Sequence, residues 1–299
     1  MLQQNWGSAA MLKTVILSIL LFLSISAMAF GMFALWLNFS DERNLETVNL
    51  RIWNEIDPAR GTYDPLMVAH LPAPVQRYFN FMIAPDAQLR TINRIEMVGE
   101  FGLGDANEHS YYPFTATQYN AAPTGFTWAL KTYDTAMSMN GSDMVWDEQS
   151  WTKFWLLGVL PVARAGGDED YLRSGVGRMV VEMAAWSPVS LLPQFGVEWE
   201  ELGDDVIRAK VNALGFDQIV DIKIDTRGAP IEFLIPRWSN ANPEQTFKLQ
   251  PFGGIAHAYA TYDGITIVSD VEAGNHFGTP DYFAFFKAKV TALEYQPAR

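Results

Sequence analysis

The sequence predicts an α+β protein: an N-terminal transmembrane helix followed by a large curved antiparallel β-sheet domain, half-barrel-like, with two or three helices packed on it. Three observations carry this. Residues 14–40 contain no charged side chain. From Leu89 onward, about a dozen short segments alternate between apolar and polar residues and are separated by turn residues. Between 151 and 186 that alternation breaks, first into a strongly apolar stretch with one Lys before its closing Arg and then into apolar residues at helical spacing.

The first element is the anchor. Residues 15–37 (VILSILLFLSISAMAFGMFALWL) are almost wholly apolar. As a helix they span about 34 Å, enough to cross a hydrocarbon core of about 30 Å. A lone segment in lipid must satisfy its own backbone hydrogen bonds, which only a helix does. Val15, Leu20, Leu21, Phe22, Leu23, Phe33 and Leu37 are the expected lipid contacts, with Trp36 at the far interface. A cleaved signal peptide is the rival reading, because Ala27-Met28-Ala29 has the small-x-small form of a cleavage site. The apolar run continues to Leu37, well past Ala29, and this favours an uncleaved anchor. Basic residues are nearly balanced across the segment, with Lys13 before it and Arg43 and Arg51 after it. The signal-like start and the acidic bulk favour a large periplasmic domain on a bacterial inner membrane; the cytoplasmic orientation stays open.

Residues 1–40 are thus tail and membrane helix, and 41–88 form a connecting region. Leu45, Val48, Ile52 and Ile56 lie at helical spacing and predict a short amphipathic helix over 41–57. Its stripe is expected on the chain's own domain, on the bilayer surface or on another subunit. A linker with Pro58, Gly61 and Pro65 follows, then Leu71-Pro72-Ala73-Pro74 opens a helix. Residues 89–299 form the β-rich domain, with a helical insertion at 151–190. Within it, the run WTKFWLLGVLPVAR (151–164) is expected as one helix. The spacing of Leu172, Val176, Met179, Val180, Met183 and Trp186 predicts a second, capped by Asp168 and ended by Ser187-Pro188. Asp263-Gly264 between two alternating runs is the strongest hairpin signal. Gly203-Asp204 and Arg227-Gly228 are further expected turns.

Composition limits the chemistry. A hydrophobic share of 49% against 18% charged suits a packed core rather than a disordered chain. With no cysteine, disulfides and thiolate chemistry are excluded. The net charge is −13, and Lys13 is the sole charged side chain before Asp41. The domain is therefore strongly acidic and repels phosphate backbones, so no nucleic-acid partner is expected. Neither a metal nor another cofactor is expected: His70, His109, His257 and His276 show no ligand spacing. Gly99–Gly104 reads G-x-x-G-x-G, the reverse of a dinucleotide fingerprint, and is expected as a turn.

Several motifs together resemble a family of uncharacterised bacterial membrane-anchored proteins. They are Leu71-Pro72-Ala73-Pro74-Val75-Gln76-Arg77-Tyr78-Phe79, Gly125-Phe126-Thr127-Trp128, and Ser174-Gly175-Val176-Gly177-Arg178 with Glu182 and Trp186-Ser187-Pro188. Pro251-Phe252-Gly253-Gly254, Gly264-Ile265-Thr266-Ile267 and Asp281-Tyr282-Phe283 complete the set, which covers about residues 70–295. The chain departs from the pattern at Phe252, where Trp is expected, and at Asn140-Gly141-Ser142-Asp143, which stands for a second Gly-rich run. The resemblance implies a curved sheet similar to the bacterial lipoprotein-carrier and lipoprotein-receptor fold, whose members hold acyl chains between sheet and helices. It implies no catalytic residues.

Candidate binding residues follow from aromatic density: Trp128, Trp151, Phe154, Trp155, Leu156 and Trp186, with Glu182 beside the apolar stripe of the second helix. The same residues also suit plain core packing, and Glu182 suits a salt bridge with Arg178 four residues earlier. Three functions remain open. The first is a membrane-tethered, non-catalytic domain binding a hydrophobic ligand such as lipid, which a cavity between sheet and helices favours. The second is an accessory subunit of a membrane protein complex, which a filled core with a flat apolar surface favours. The third is an enzyme pairing Glu182 with Asp270 or Glu272, which converging carboxylates favour.

Overall fold

The computed structural model describes residues 4–203 and 205–297. Outside them lie Asp204 of the expected Gly203-Asp204 turn, residues 1–3 of the tail and the last two residues. Helix α1 (Gln4–Asn54) runs unbroken for 51 residues, about 76 Å at 1.5 Å per residue. From Met11 it is long and apolar enough to cross a membrane, and its apolar window is fully exposed; a membrane anchor and a signal sequence both fit. The amphipathic helix expected over 41–57 is the continuation of α1. Val48 and Ile52 are buried there against Ile92, Ala121 and Met144. Ile56 lies past the helix end and is exposed. The following linker is tied down by Asp57, whose carboxylate accepts from Thr91 N at 2.8 Å and Thr91 Oγ1 at 2.7 Å. Helix α2 (Ala73–Met82) starts where the Leu71-Pro72-Ala73-Pro74 motif predicts and buries Val75, Tyr78, Phe79 and Met82.

The strands are β1 (Ile92–Gly104), β2 (His109–Ala121), β3 (Gly125–Thr132), β4 (Met139–Trp146), β5 (Gln149–Leu156) and β6 (Leu160–Gly166). Helix α3 (Glu169–Trp186) follows. Then come β7 (Glu198–Gly203), β8 (Val206–Ala213), β9 (Phe216–Ile224), β10 (Pro230–Ser239), β11 (Lys248–Tyr262), β12 (Ile265–Asn275) and β13 (Phe283–Tyr295). Among the described residues they form a single 13-stranded sheet in the order β6-β5-β4-β3-β2-β1-β13-β12-β11-β10-β9-β8-β7. Each neighbouring pair is antiparallel, and β1 against β13 closes the long connection. At Asp263-Gly264 the expected tight hairpin is present, with Tyr262 opposite Ile265 and positive φ at both turn residues (50° and 83°).

The sheet is strongly curved, and α3 shows it. That helix touches β3, β4, β5 and β6 near one edge and β8, β9 and β10 near the other. In a flat sheet β5 and β9 would lie about 43 Å apart at 4.8 Å per strand. A helix of 18 residues is only about 27 Å long. The strands must therefore wrap around α3, which lies on the concave face, while the lower half of α1 lies on the convex face. Asp168 caps α3 by accepting from Tyr171 N at 2.9 Å, and the helix ends before Ser187-Pro188, both as expected. Gly175 does not break it; a Cβ there would meet the Val145 side chain, so the glycine permits close packing.

Two expectations are corrected. Residues 151–164 are not helical: they are most of the β5–β6 hairpin at the edge of the sheet. The helical insertion expected at 151–190 thus reduces to α3 and the short turns after it. In β5 the cause is two-sided burial, whereas in β6 Leu160 and Val162 are exposed apolar residues of an edge strand. Trp155 of β5 packs toward α1 and Phe154 toward the concave face, so the strand shows no polar alternation. Gly99–Gly104 is not a turn but the end of β1. A side chain at Gly99 would collide with the Lys287 carbonyl on β13, so this glycine serves close strand approach.

Candidate functional site

Between α3 and the concave face lies a partly open cavity of about 240 Å³. Alternation decides most of what enters it, the exception being the adjacent Phe285 and Phe286, beside an irregularity in the β12–β13 pairing. Strand β1 supplies Phe101, β3 Trp128, β5 Thr152 and Phe154, β10 Phe233 and Arg237, and β11 Phe252. Val271 and Ala273 come from β12, and Phe285 and Phe286 from β13. Helix α3 closes the floor with Arg178, Val181, Glu182, Ala185 and Trp186. The rings form one array: Trp128 lies 6.3 Å from Phe154 and 5.9 Å from Phe286, and Phe101 lies 6.0 Å from Phe285.

A polar network runs beneath this apolar wall. Arg178 Nε donates to Glu182 Oε1 at 2.7 Å, and its Nη1 donates to Asp143 on β4. Its guanidinium also lies over the Phe126 and Trp128 rings, at 5.0 and 4.9 Å. Burial disfavours the Arg178 charge, but Glu182 and Asp143 outweigh it and hold its pKa above the ordinary value. Glu182 Oε2 accepts from Gln118 Nε2 at 2.7 Å, and the chain continues through Asn120 and Asn93 to the Trp186 carbonyl. Among the described residues, three buried atoms beside this network have no partner: Trp128 Nε1, Asp143 Oδ1 and Gln118 Oε1. Buried polar atoms are normally bonded, so such orphans mark places where a ligand or water completes the set.

The convex face is built differently. Asp41 of α1 accepts from Trp155 Nε1 at 3.1 Å and pairs with Lys153 at 3.0 Å and with Arg164. Burial pushes its carboxyl up, but the hydrogen bonds of Arg164 and Lys153 outweigh this and hold it below the usual carboxylate range. Beside α1 runs a groove of about 270 Å³ whose lining includes Asn38, Glu42, Lys131, Asn140 and Lys153. Two of its four charged groups, Asp41 and Lys153, pair with each other, and Trp155 is its one aromatic lining residue.

A model of a family of unknown function, DUF6544, matches residues 62–288. The chain belongs to that family. No curated protein matches it. Among solved structures it is similar to a LolA superfamily protein from Nitrosomonas europaea, at 6% identity and a TM-score of 0.39, covering 76% of this chain and 94% of that one. It is also similar to a putative outer membrane lipoprotein-sorting protein domain from Vibrio parahaemolyticus, at 11% identity, TM-score 0.36 and coverage of 69% and 86%. A DUF1329 family protein from Desulfovibrio piger resembles it at 11% identity and TM-score 0.32, with the same coverage.

The structure brings four of the expected binding residues together at the cavity: Trp128, Phe154, Glu182 and Trp186. It places Trp151 and Trp155 on the opposite face of β5, and neither they nor Leu156 line the cavity. Glu182 makes the expected bridge to Arg178. Asp270 and Glu272 do not face it. They alternate with the cavity-lining Val271 and Ala273, so they project to the other side of β12, near Lys289 and His257. Sequence reading missed Arg237, Phe101, Phe252, Phe285 and Asp143. For Arg237 a signal exists: it follows Phe233 and Ile235 at the two-residue spacing of the inward face of β10.

Proposed function

We propose that this protein is a membrane-tethered domain that binds a hydrophobic ligand, a lipid or its acyl chain, in the cavity between α3 and the concave sheet. The observation that carries the reading is the cavity itself: about 240 Å³ of space walled by Phe101, Trp128, Phe154, Phe252 and Phe285, between α3 and the sheet. An aromatic wall with a few fixed polar groups is the usual character of a ligand site, and the volume falls just under the common range. One acyl chain, partly inserted, suits it better than a whole lipid. In this reading residues 15–37 of α1 cross the bacterial inner membrane, and the sheet domain lies on the periplasmic side. Catalysis has no place in it: Glu182 is committed to Arg178 and Gln118, and the other two carboxylates lie beyond the sheet.

Mass spectrometry of lipids retained by the full chain, purified in a mild non-ionic detergent, tests the reading. Wild type should retain lipid at near-stoichiometric amounts. Val181→Trp, which fills the cavity from the α3 side, should retain much less while still folding. A wild-type protein free of lipid, and equally unlabelled by added lipid, would sink the reading.

A further inference from the structure

The cavity contains two guanidinium groups with different neighbours. Arg178 is met by both cavity carboxylates, Glu182 and Asp143. Arg237 makes no ion pair within 4 Å among the described residues. Its Nε donates to the Ser174 carbonyl at 3.2 Å, and its guanidinium lies over the Phe252 ring at 4.9 Å from the centroid. No acceptor among the described residues meets its terminal nitrogens. Burial, and after it the charge of Arg178, pushes its pKa down to about 10, so it remains cationic at neutral pH.

Arg237 is half-buried, and a charge drawn partly out of water is costly unless it is paired and hydrogen-bonded. A guanidinium offers a planar fork of donors that fits a carboxylate or phosphate through two parallel bonds. Asp143 and Glu182 are both turned to Arg178, so neither occupies that fork. From Arg237 the apolar wall continues through Phe233, Phe252, Phe101 and Phe285. The position therefore joins one unengaged cationic fork to one apolar chain-sized space.

We propose that the cavity takes an anionic amphiphile, with Arg237 holding its carboxylate or phosphate and the aromatic wall holding its chain. This rests on the ligand-binding reading given above and adds the charge of the ligand to it.

The test uses the full chain in phosphatidylcholine nanodiscs with three C16 photoprobes carrying a diazirine: a fatty acid, the matching fatty alcohol, and a lysophosphatidic acid. Crosslinked peptides are mapped by mass spectrometry. The expected result is labelling of peptides carrying Phe101 or Phe285 by at least one anionic probe at about tenfold lower concentration than by the alcohol, the size expected for a charge-assisted hydrogen bond. Whichever anion labels more strongly identifies carboxylate or phosphate as the group held. Arg237→Gln should bring the anions to the level of the alcohol measured on the same variant. Equal labelling of wild type by acid, phosphate and alcohol overturns the anionic proposal while leaving the cavity reading standing. An anion preference that survives Arg237→Gln overturns the role of Arg237. Cavity peptides unlabelled by every probe overturn both readings. Because the wild-type comparison needs no variant, a misfolded Arg237→Gln does not spare the proposal.

Discussion

The two faces of this sheet carry helices in opposite ways. On the convex face α1 is clamped: Asp41 meets Trp155, Lys153 and Arg164, and Ile52 is fully buried against Ile92, Ala121 and Met144. On the concave face α3 buries Val176, Val180 and Met183, while Arg178, Val181, Glu182, Ala185 and Trp186 border the cavity. Strand β5 serves both. Its odd-numbered Trp151, Lys153 and Trp155 face α1, and its even-numbered Thr152 and Phe154 face the cavity. The same eight residues thus build a clamp on one side and a binding wall on the other. The difference teaches that aromatic density alone does not separate a site from a core, whereas the state of the neighbouring charges does.

The largest expected effect tests the clamped side. Trp155 is 1% exposed. Trp155→Ala should cost about 3–5 kcal/mol, read as the midpoint of urea unfolding of the full chain. A midpoint equal to wild type would mean that α1 is not seated on β5 as described.

Asp41→Asn comes next, with an expected loss of about 2–3 kcal/mol, because it leaves Lys153 and Arg164 partly buried without their acid. The pH dependence has a definite sign. Asp41 has a depressed pKa in the folded protein, so its contribution is present above the ordinary value of 3.8 and is lost as pH falls through the folded value below it. In a pH series Asp41→Asn should therefore lie below wild type at neutral pH and approach it under strongly acid conditions. A gap that stays constant down to low pH would show that the carboxylate charge is not what holds α1.

One position away, Phe154→Ala sharpens the contrast. Phe154 is as aromatic as Trp155, but one side of it borders space. Truncation there removes fewer contacts than at a filled site, so the expected cost is about 2 kcal/mol, clearly less than for Trp155. Lipid retention should fall with it, whereas Trp155→Ala should show no loss of retention separable from unfolding. Equal costs at the two positions would indicate that the cavity closes in solution.

This contrast also explains what could be read from the sequence. Strands such as β8 and β9 have one buried and one wetter face, and their period of two is plain in the residues. In β5 both faces are covered, so Trp151 through Leu156 show no alternation and open a strongly apolar stretch with one Lys, a pattern that fits a buried helix equally well. The site divides in the same manner. Trp128, Trp186 and Glu182 stand out as single residues or on a helical stripe. Arg237, Phe101 and Phe285 come from strands distant in sequence, and only the curvature of the sheet brings them to one space. That curvature follows from hairpin order and packing around α3, which no local motif encodes.

The smallest expected change concerns stability at Arg237, and it is the most diagnostic for the concave face. A residue kept for folding should cost stability when replaced. A residue kept for binding, and held with its charge unpaired, should not. Arg237 has one carbonyl and one ring as partners and no carboxylate. Methionine approximates its length without its charge and can fill the same channel between Phe252 and α3. Replacing a buried charge by an apolar side chain of similar volume is commonly neutral or stabilising. Arg237→Met should therefore leave the unfolding midpoint unchanged or raise it by up to about 1 kcal/mol, while anionic ligand retention is lost. A loss of several kcal/mol would place Arg237 with Asp41, as a charge engaged in holding a helix to the sheet, and the two faces would then differ only in how much space each leaves.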